Sequence, residues 1–184
     1  TYLEMNDWQR RNQMEVKLMA KTVSRENPGA VLKAINMSLD NAFSPHLFNK
    51  QEPESAEEFV EQSPKIKYTM ECVRSVKDWH TSRNEECSGM ILYSNRGKQY
   101  FDYIKQYLLT HVGFKSKVLY DEEFLDEVEI ISGGGSEAEQ DRKELIKDAF
   151  NAGVVKIIIG TSTIREGVNL QARGTCLFDL YPEW

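Results

Sequence analysis

The sequence predicts an α/β fold in which a parallel sheet is flanked by helices and preceded by a small helical segment. From Gly89 onward, short apolar runs alternate with amphipathic stretches of helical length, the pattern of strand, helix, strand units. The run VVKIIIG, which ends at Gly160, is almost wholly apolar, as expected for a central strand covered on both faces. The 184 residues suffice for one sizeable core and a smaller appendage.

The first forty residues predict two packed helices. Apolar residues recur at helical spacing on either side of the Asn27-Pro28-Gly29 break, which separates the two stretches. The first stripe consists of Met5, Trp8, Val16, Met19 and Val23, and the second of Val31, Ile35 and Leu39.

An acidic stretch follows, from residue 49 to residue 63, with five glutamates and few aliphatic side chains. This composition is typical of a solvated linker or of a solvated excursion of the chain. We therefore predict a boundary near residue 62, with a helical segment and acidic linker over residues 1–62 and the α/β domain over residues 63–184.

The elements of the α/β domain follow in order. Ser63 and Pro64 form a helix start, with the serine as cap and the proline at the first helical position. The periodicity then predicts strands over 89–93, 117–120, 127–131, 154–159 and 175–180, and helices over 97–112 and 136–151. In such sheets, ligands bind beyond the carboxyl ends of the strands.

Composition excludes several classes of protein. The net charge of −6 and the pI near 5.2 exclude a protein that coats nucleic acid through bulk positive charge. Two interpretations remain for a group of five basic residues: they form a local basic face, or they are ordinary solvated charges. The five are Arg96, Lys98, Lys105, Lys115 and Lys117.

The cysteines and the hydropathy define the expected environment. Three cysteines, far apart and without a C-x-x-C pair, predict neither a disulfide framework nor a metal site. No apolar run approaches the roughly 18 residues that span a bilayer, so no membrane partner is predicted. We expect an intracellular protein, cytoplasmic or associated with the nucleoid, or nuclear if the organism is eukaryotic.

The stretch IISGGGSEAEQDR suggests a phosphate-binding turn. Gly133, Gly135 and Ala138 fit the G-x-G-x-x-G/A spacing of a dinucleotide site, but the next strand offers no acidic residue to hold a ribose. A tight turn before a helix capped by Ser136 and Glu139 is the alternative, and its free amides would still attract an anion. The sequence contains no G-x-x-x-x-G-K-[ST] loop, the main phosphate cradle of ATPases.

The stretch GTSTIREGVNLQ places three hydroxyls, those of Thr161, Ser162 and Thr163, directly beyond a buried strand. Hydroxyls and backbone amides are suitable donors to phosphate, although a Ser/Thr turn that caps a short helix would have the same composition. Arg165 and Glu166 could contact a nucleotide or pair with each other at the surface.

Taken together, these segments resemble the second RecA-like lobe of superfamily 2 helicases, most closely that of the Swi/Snf-like DNA translocases. MILYSN resembles motif IV, and KIIIGTSTIREGVNLQ resembles motif V. The segment SGGGSEAEQDRKELIKDAFNAG is similar to the family's glycine, arginine, phenylalanine segment, with Arg142 and Phe150 at the matching positions. LFDLYPEW is similar to the family's aspartate-to-tryptophan segment, SPKIKYTMECV to the helix that opens the lobe, and NAFSPHLF to the Asn-His-Pro-x-Leu stretch.

The sequence departs from the family pattern in two places. Motif V of the Swi/Snf-like branch commonly reads Ser-Thr-Arg-Ala-Gly-Gly-x-Gly, whereas residues 162–167 read STIREG. Asp179 lies five residues before Trp184, farther than this branch usually places it. The arginine-rich motif VI is expected to follow Trp184.

The resemblance implies a motor that uses ATP and Mg²⁺, with the metal ligands on a first RecA-like lobe of the same polypeptide. It implies no catalytic residues in this stretch, which should be inactive alone. Partners would be that first lobe and DNA, with RNA not excluded. The implied ATP-binding residues are Glu166, Gly167 and Asn169, and the implied nucleic-acid-binding residues are Ser94, Asn95, Arg96, Gly133, Gly134, Thr161, Ser162 and Thr163. A dinucleotide-binding enzyme domain and a non-catalytic interaction domain are the alternatives.

Overall fold

The computed structural model describes residues 3–22, 29–131, 133, 135–165, 169–170 and 172–181. The chain divides into two compact units, residues 1–68 and residues 69–184. This division falls within a helix over Pro64–Ser82, whereas the boundary near residue 62 and the domain assignments remain predictions from the sequence.

Unit 1 is helical. Its helices are α1 over Asp7–Lys21, α2 over Ala30–Phe43, α3 over Pro45–Asn49 and α4 over Ala56–Glu61. A capping box formed by Asn6 and Gln9 begins α1, and the Ser44 side chain caps α3 by accepting the His46 N–H at 3.1 Å.

The two predicted helices pack through different residues from those expected. On α2, Ala30 and Ala34 are buried, whereas Val31 and Ile35 are 47% and 46% exposed. Small side chains on α2 bring the two backbones close together, so the larger aliphatic side chains lie outside the contact. The α1 face toward α2 is largely polar, and the predicted stripe contributes only Val16 to the buried set of α1.

The acidic stretch is not simply a solvated linker, because it contains α4. Phe59 and Val60 are fully buried, while Glu57 and Glu61 remain exposed. Ser55 caps the helix by accepting the Glu58 N–H at 3.0 Å. This short amphipathic helix was not predicted because the stretch is rich in glutamate and α4 is too short to show a helical periodicity.

Unit 2 carries the predicted parallel sheet. After α5, over Pro64–Ser82, its strands are β1 over Gly89–Tyr93, β2 over Val118–Tyr120, β3 over Glu123–Leu125, β4 over Val128–Ile131, β5 over Ile157–Gly160 and β6 over Gly174–Asp179. Its other helices are α6 over Phe101–Tyr107, α7 over Glu137–Asn151 and α8 over Ser162–Arg165. A 3-10 turn over Lys98–Tyr100 precedes α6 and a π turn over Leu108–Val112 follows it.

Four strands pair in parallel in the order β4-β5-β1-β6. All of β5 is buried, which confirms the central strand expected from its apolar run. One face of the sheet joins α7 in an apolar cluster that includes Ile158, Ala149 and Phe150. On the other side of the pleat, Met90 and Leu92 of β1 are fully buried. The α/β fold with a parallel sheet flanked by helices is therefore confirmed.

Two predicted strands differ from the structure. Residues 118–120 do not join the parallel sheet but form an antiparallel hairpin with β3, turned by Asp121 and Glu122 at φ 49° and 66°. The fifth strand begins at Ile157 rather than Val154, because the Val154 and Val155 N–H groups donate to Ala149 O at 2.8 and 3.2 Å and close the end of α7.

Among the described helices, none combines the length and the apolar character required to cross a membrane.

Candidate nucleic-acid interface

The carboxyl ends of the parallel strands bring most of the sequence-predicted site together. β4, β5 and β1 end at Ile131, Gly160 and Tyr93, which lie side by side in the register of the sheet. The segment after β4 contains Gly133 to Gly135, the glycine turn, and the segment after β5 contains Thr161 to Thr163, the hydroxyl run. The segment after β1 contains the Ser94-Asn95-Arg96 turn. Parallel topology therefore collects three segments that are far apart in the sequence at one edge.

Two hydrogen bonds join the segments that follow β1 and β5. The Ser162 backbone N–H donates to Asn95 Oδ1 at 2.8 Å, and the Ser94 N–H donates to Gly160 O at 3.0 Å. The second bond continues the sheet ladder by one residue, and the first caps the start of α8 from a neighbouring loop. The two predicted nucleic-acid-binding segments thus form one connected surface.

Ser94 organises its own turn. Its side chain is fully buried, its hydroxyl donates to Arg96 O at 2.6 Å and it accepts the Arg96 N–H at 3.2 Å. A hydroxyl held in this way cannot reach a ligand at the surface. Its effect is to fix the direction of Arg96, whose guanidinium carbon lies 5.2 Å from the centre of the Tyr181 ring.

The hydroxyl run beyond β5 is half-exposed. The Thr161 and Thr163 hydroxyl oxygens lie 3.3 Å apart. A Cβ added to Gly133 would lie 3.4 Å from Thr163 Oγ1, so the glycine turn and the hydroxyl run are neighbours. Gly134 lies outside the described residues, but Gly133 is part of this edge.

Gly160 allows α8 to fold tightly over the end of β5. A Cβ at this position would lie 2.3 Å from Ile164 Cδ1 and 2.5 Å from Ile131 O. Contacts this short require backbone to move, so only glycine fits between the neighbouring strand and the Ile164 side chain. The close approach holds the hydroxyls of α8 directly above the sheet.

Comparison with protein-family models gives no match, and comparison with the sequences of curated proteins gives none either. Comparison with solved structures matches 97% of the chain to the C-terminal domain of the Sulfolobus solfataricus SWI2/SNF2 ATPase, covering 76% of that domain, with a TM-score of 0.66 and 15% identity. The chain has the fold of a SWI2/SNF2 ATPase C-terminal domain. The resemblance found in the sequence is thereby confirmed at the level of the fold.

Two longer structures from the same organism match in the same way. The SWI2/SNF2 ATPase core in complex with double-stranded DNA matches with a TM-score of 0.64 and 14% identity, and the core alone with 0.64 and 15%. Each match covers 97% of this chain but only 39% and 38% of the respective core. The chain therefore spans well under half of a SWI2/SNF2 core.

In this SWI2/SNF2-type fold the start of α7 has little capacity for a pyrophosphate. The capping box predicted at α7 is confirmed: Glu139 N donates to Ser136 Oγ at 3.3 Å and Ser136 N donates to Glu139 Oε2 at 3.1 Å. Glu137 adds a second carboxylate to the first turn. The Ser136 and Glu139 side chains already bond to amides at the start of the helix, and the two carboxylates would repel a pyrophosphate there.

An ion cluster around the buried Glu129, beside the glycine turn, was not predicted from the sequence. Glu129 on β4 is 4% exposed and accepts from Lys105 Nζ at 3.0 Å, while Arg142 NH2 lies 3.7 Å from its other oxygen. Lys105 Nζ also lies 2.9 Å from Asp126 Oδ2. Lys105 is thus committed to a structural cluster rather than to the basic face that the sequence left open. The only sequence signal is a glutamate among the apolar residues of β4.

Within the cluster, the surroundings of Asp126 favour its ionised form. Burial acts to raise the pKa of Asp126, but hydrogen bonds from the Lys105 ammonium and the Lys117 backbone N–H lower it below its ordinary value. The resemblance aligns Arg142 with the family's arginine. Its ion pair with Glu129 joins α7 to β4 next to the glycine turn.

The implied ATP-binding residues are only partly described. Glu166 and Gly167 lie outside the described residues, and the Asn169 carbonyl accepts from Asn151 Nδ2 at 2.9 Å. Asn151 ends α7, so this contact ties the segment after α8 to the same helix as Arg142. Within the described part of the chain, no three His, Cys, Asp or Glu side chains are grouped so that they could hold a metal ion.

Proposed function

We propose that the chain is the second motor lobe of an ATP-dependent DNA helicase or translocase, and that it supplies the nucleic-acid grip and part of the ATP cleft. The observation that carries the proposal is the Asn95 to Ser162 hydrogen bond, because it joins the motif IV-like and motif V-like loops into one surface. The SWI2/SNF2-type fold supports the same assignment, and one matching core is in complex with double-stranded DNA.

The grip would be made by phosphate contacts, which need no overall positive charge. The hydroxyls of Thr161 and Thr163 would donate to a phosphate, and Arg96 would supply the local positive charge. Ser94, Asn95 and the Ser162 amide would act indirectly, since their described polar groups already bond within the edge. Gly133 and Gly134 would let a strand approach beside Thr163.

The ATP cleft would be completed by a first lobe. Glu166, Gly167 and Asn169 would face the nucleotide when the lobes close, and the first lobe would bring the phosphate loop and the ligands of Mg²⁺. Alternate closing and opening would advance the grip along a strand. Without a phosphate loop and the arginines of motif VI, the chain by itself would not hydrolyse ATP.

A DNA titration tests the grip directly. A fluorescent 20-base-pair duplex is titrated with the purified chain at low salt, and binding is followed by anisotropy. We expect binding that weakens as salt is added, since phosphate contacts release counterions. Thr161→Val with Thr163→Val should lower the affinity at least fivefold, whereas the control Thr110→Val removes an exposed hydroxyl elsewhere and should leave it unchanged.

The alternatives predict other outcomes. Tight binding of NAD or a flavin, with no binding of duplex, would favour a dinucleotide-binding domain. Binding of neither nucleotide nor DNA would favour a non-catalytic interaction domain. Duplex-stimulated ATP hydrolysis by the chain alone would contradict its assignment as a second lobe.

A further inference from the structure

The first helix has an inverted amphipathic character. Toward α2 it buries polar side chains, with Gln9 and Asn12 only 3% and 6% exposed. Toward solvent it presents Met14 and Leu18, which are 65% and 63% exposed. A surface helix normally does the reverse, placing its apolar side chains against the rest of the protein.

Hydrogen bonds join Gln9 and Asn12 on the polar inner face to Asn41 on α2. Gln9 Nε2 donates to Asn41 O at 2.7 Å, Asn12 Nδ2 donates to Asn41 Oδ1 at 2.9 Å, and Asn41 Nδ2 donates to Gln9 O at 2.9 Å. Buried amides that bond to each other across the two helices specify one pairing of α1 with α2. Turning α1 over to bury Met14 and Leu18 against α2 would expose this network and leave its partners unsatisfied.

The outer face has the spacing of a helix-pairing seam. Along α1 the solvent side carries Asp7, Arg11, Met14, Leu18 and Lys21, separated by four, three, four and three residues. This alternation places one side chain per turn on a single stripe, as in helices that pair side by side. The two apolar side chains lie in the middle of the stripe.

The charges around this seam are mainly positive. Arg11, Lys17 and Lys21 are exposed, and none of them makes an ion pair among the residues that the structure describes. Glu15 is the nearby exposed carboxylate, and Asp7 is already engaged by Arg10 at 3.3 Å. Three cations therefore surround the two apolar side chains.

We propose that the outer face of α1 binds an acidic amphipathic helix of a partner protein. Met14 and Leu18 provide the apolar centre of an interface, and the cations provide its polar rim. A nucleic-acid backbone would pair with the cations but would leave both apolar side chains in water or against phosphate. Acidic flanks on a partner helix complement the rim while its leucines cover the centre.

The test uses two synthetic 18-residue helical peptides with leucines at heptad spacing, one flanked by glutamates and the other by lysines. Anisotropy of the labelled peptides is measured against the 184-residue chain. We expect the glutamate peptide to bind at least tenfold more tightly. Met14→Ser with Leu18→Ser should reduce its binding at least tenfold, and Arg11→Glu with Lys17→Glu and Lys21→Glu should reverse the preference.

The control variant carries Leu119→Ser and Phe124→Ser, which remove two side chains of similar exposure from the hairpin in unit 2. It should bind like the wild type, and circular dichroism should show all variants folded. Equal binding of both peptides, or no effect of the Met14 and Leu18 changes, overturns the proposal. It is also overturned if light scattering shows a dimer that these changes dissociate, or if the charge reversal weakens duplex binding as strongly as peptide binding.

Discussion

Asn95 Oδ1 accepts the backbone N–H of Ser162 at 2.8 Å, and through this bond the loop after β1 holds the start of α8. The two residues are separated by 67 positions in the sequence. The bond uses a helix-start amide that would otherwise be free, so Asn95 caps a helix to which it does not belong.

We predict that Asn95→Ala and Asn95→Asp both weaken DNA binding, but that they lower the free energy of unfolding by different amounts. Alanine leaves the Ser162 N–H without its acceptor and should cost about 1–3 kcal/mol of unfolding free energy. Aspartate keeps an acceptor and should cost less, but its charge repels phosphate. Urea denaturation and duplex anisotropy measure the two effects, and an Asn95→Asp chain that binds DNA like the wild type would contradict the prediction.

A second prediction concerns the two glycines at Gly160 and Gly135. Gly160→Ala should destabilise the chain by about 1–3 kcal/mol or more, because the added Cβ meets Ile131 O and Ile164 at under 3 Å. Gly135→Ala is the matched control, since nothing lies within 4 Å of its added Cβ. Thermal denaturation should show a lower midpoint for the first variant alone, and equal midpoints would show that α8 does not pack as described.

A third prediction concerns the ion cluster around the buried Glu129. Lys105→Met should cost about 3–5 kcal/mol, because it leaves Glu129 buried without its nearest cation. Lys105→Met combined with Glu129→Gln also removes the buried carboxylate charge that Lys105 neutralised and should recover part of the loss. Urea denaturation of both variants decides the point, and an equal or larger loss in the double variant would contradict it.

A fourth prediction concerns the pH dependence of unit 1. Burial lowers the pKa of His46 below its ordinary value of 6.5, although the Glu58 carboxylate, 3.0 Å from Nε2, acts to raise it. The folded state therefore binds a proton at His46 less readily than the unfolded state, which takes up more protons once the pH falls below about 6.5. The free energy of unfolding should fall as the pH is lowered through this range.

Urea denaturation between pH 7.5 and 5 measures this slope. His46→Gln should remove the His46 contribution to this slope, whether or not the substitution also changes the overall free energy of unfolding. Glu58→Gln, by removing the partner that favours the imidazolium, should extend the fall to lower pH. An unchanged slope in His46→Gln would show that His46 does not titrate differently in the two states.

The sheet could be predicted from the sequence because its signals are strong and local. The apolar run into Gly160 identified the central strand, and Ser136 with Glu139 identified the start of α7 by its capping box. The carboxyl-edge site followed from topology, since parallel strands end on the same side. Contacts between segments, such as the hydrogen bond between Asn95 and Ser162, do not affect the periodicity of the sequence and could not be predicted from it.

Unit 1 was harder to predict because its packing contradicts the usual pattern. Periodicity selected Val31 and Ile35 as inward residues, but Ala30 and Ala34 are the buried ones. Hydropathy predicts the wrong buried face for a helix that buries amides and exposes methionine and leucine. The hairpin strands β2 and β3 were equally difficult, because three residues are too few to distinguish parallel from antiparallel pairing.

Nuclear magnetic resonance of the ¹⁵N-labelled chain, titrated with a 20-base-pair duplex, tests whether the carboxyl edge of the sheet binds DNA. We expect the backbone amide shifts to change mainly in residues 94–97, at Gly133 and in residues 161–164. Thr161→Val with Thr163→Val should reduce these changes. Changes concentrated instead at the opposite edge, around Glu86 and Arg173, which pair at 3.0 Å, would contradict it.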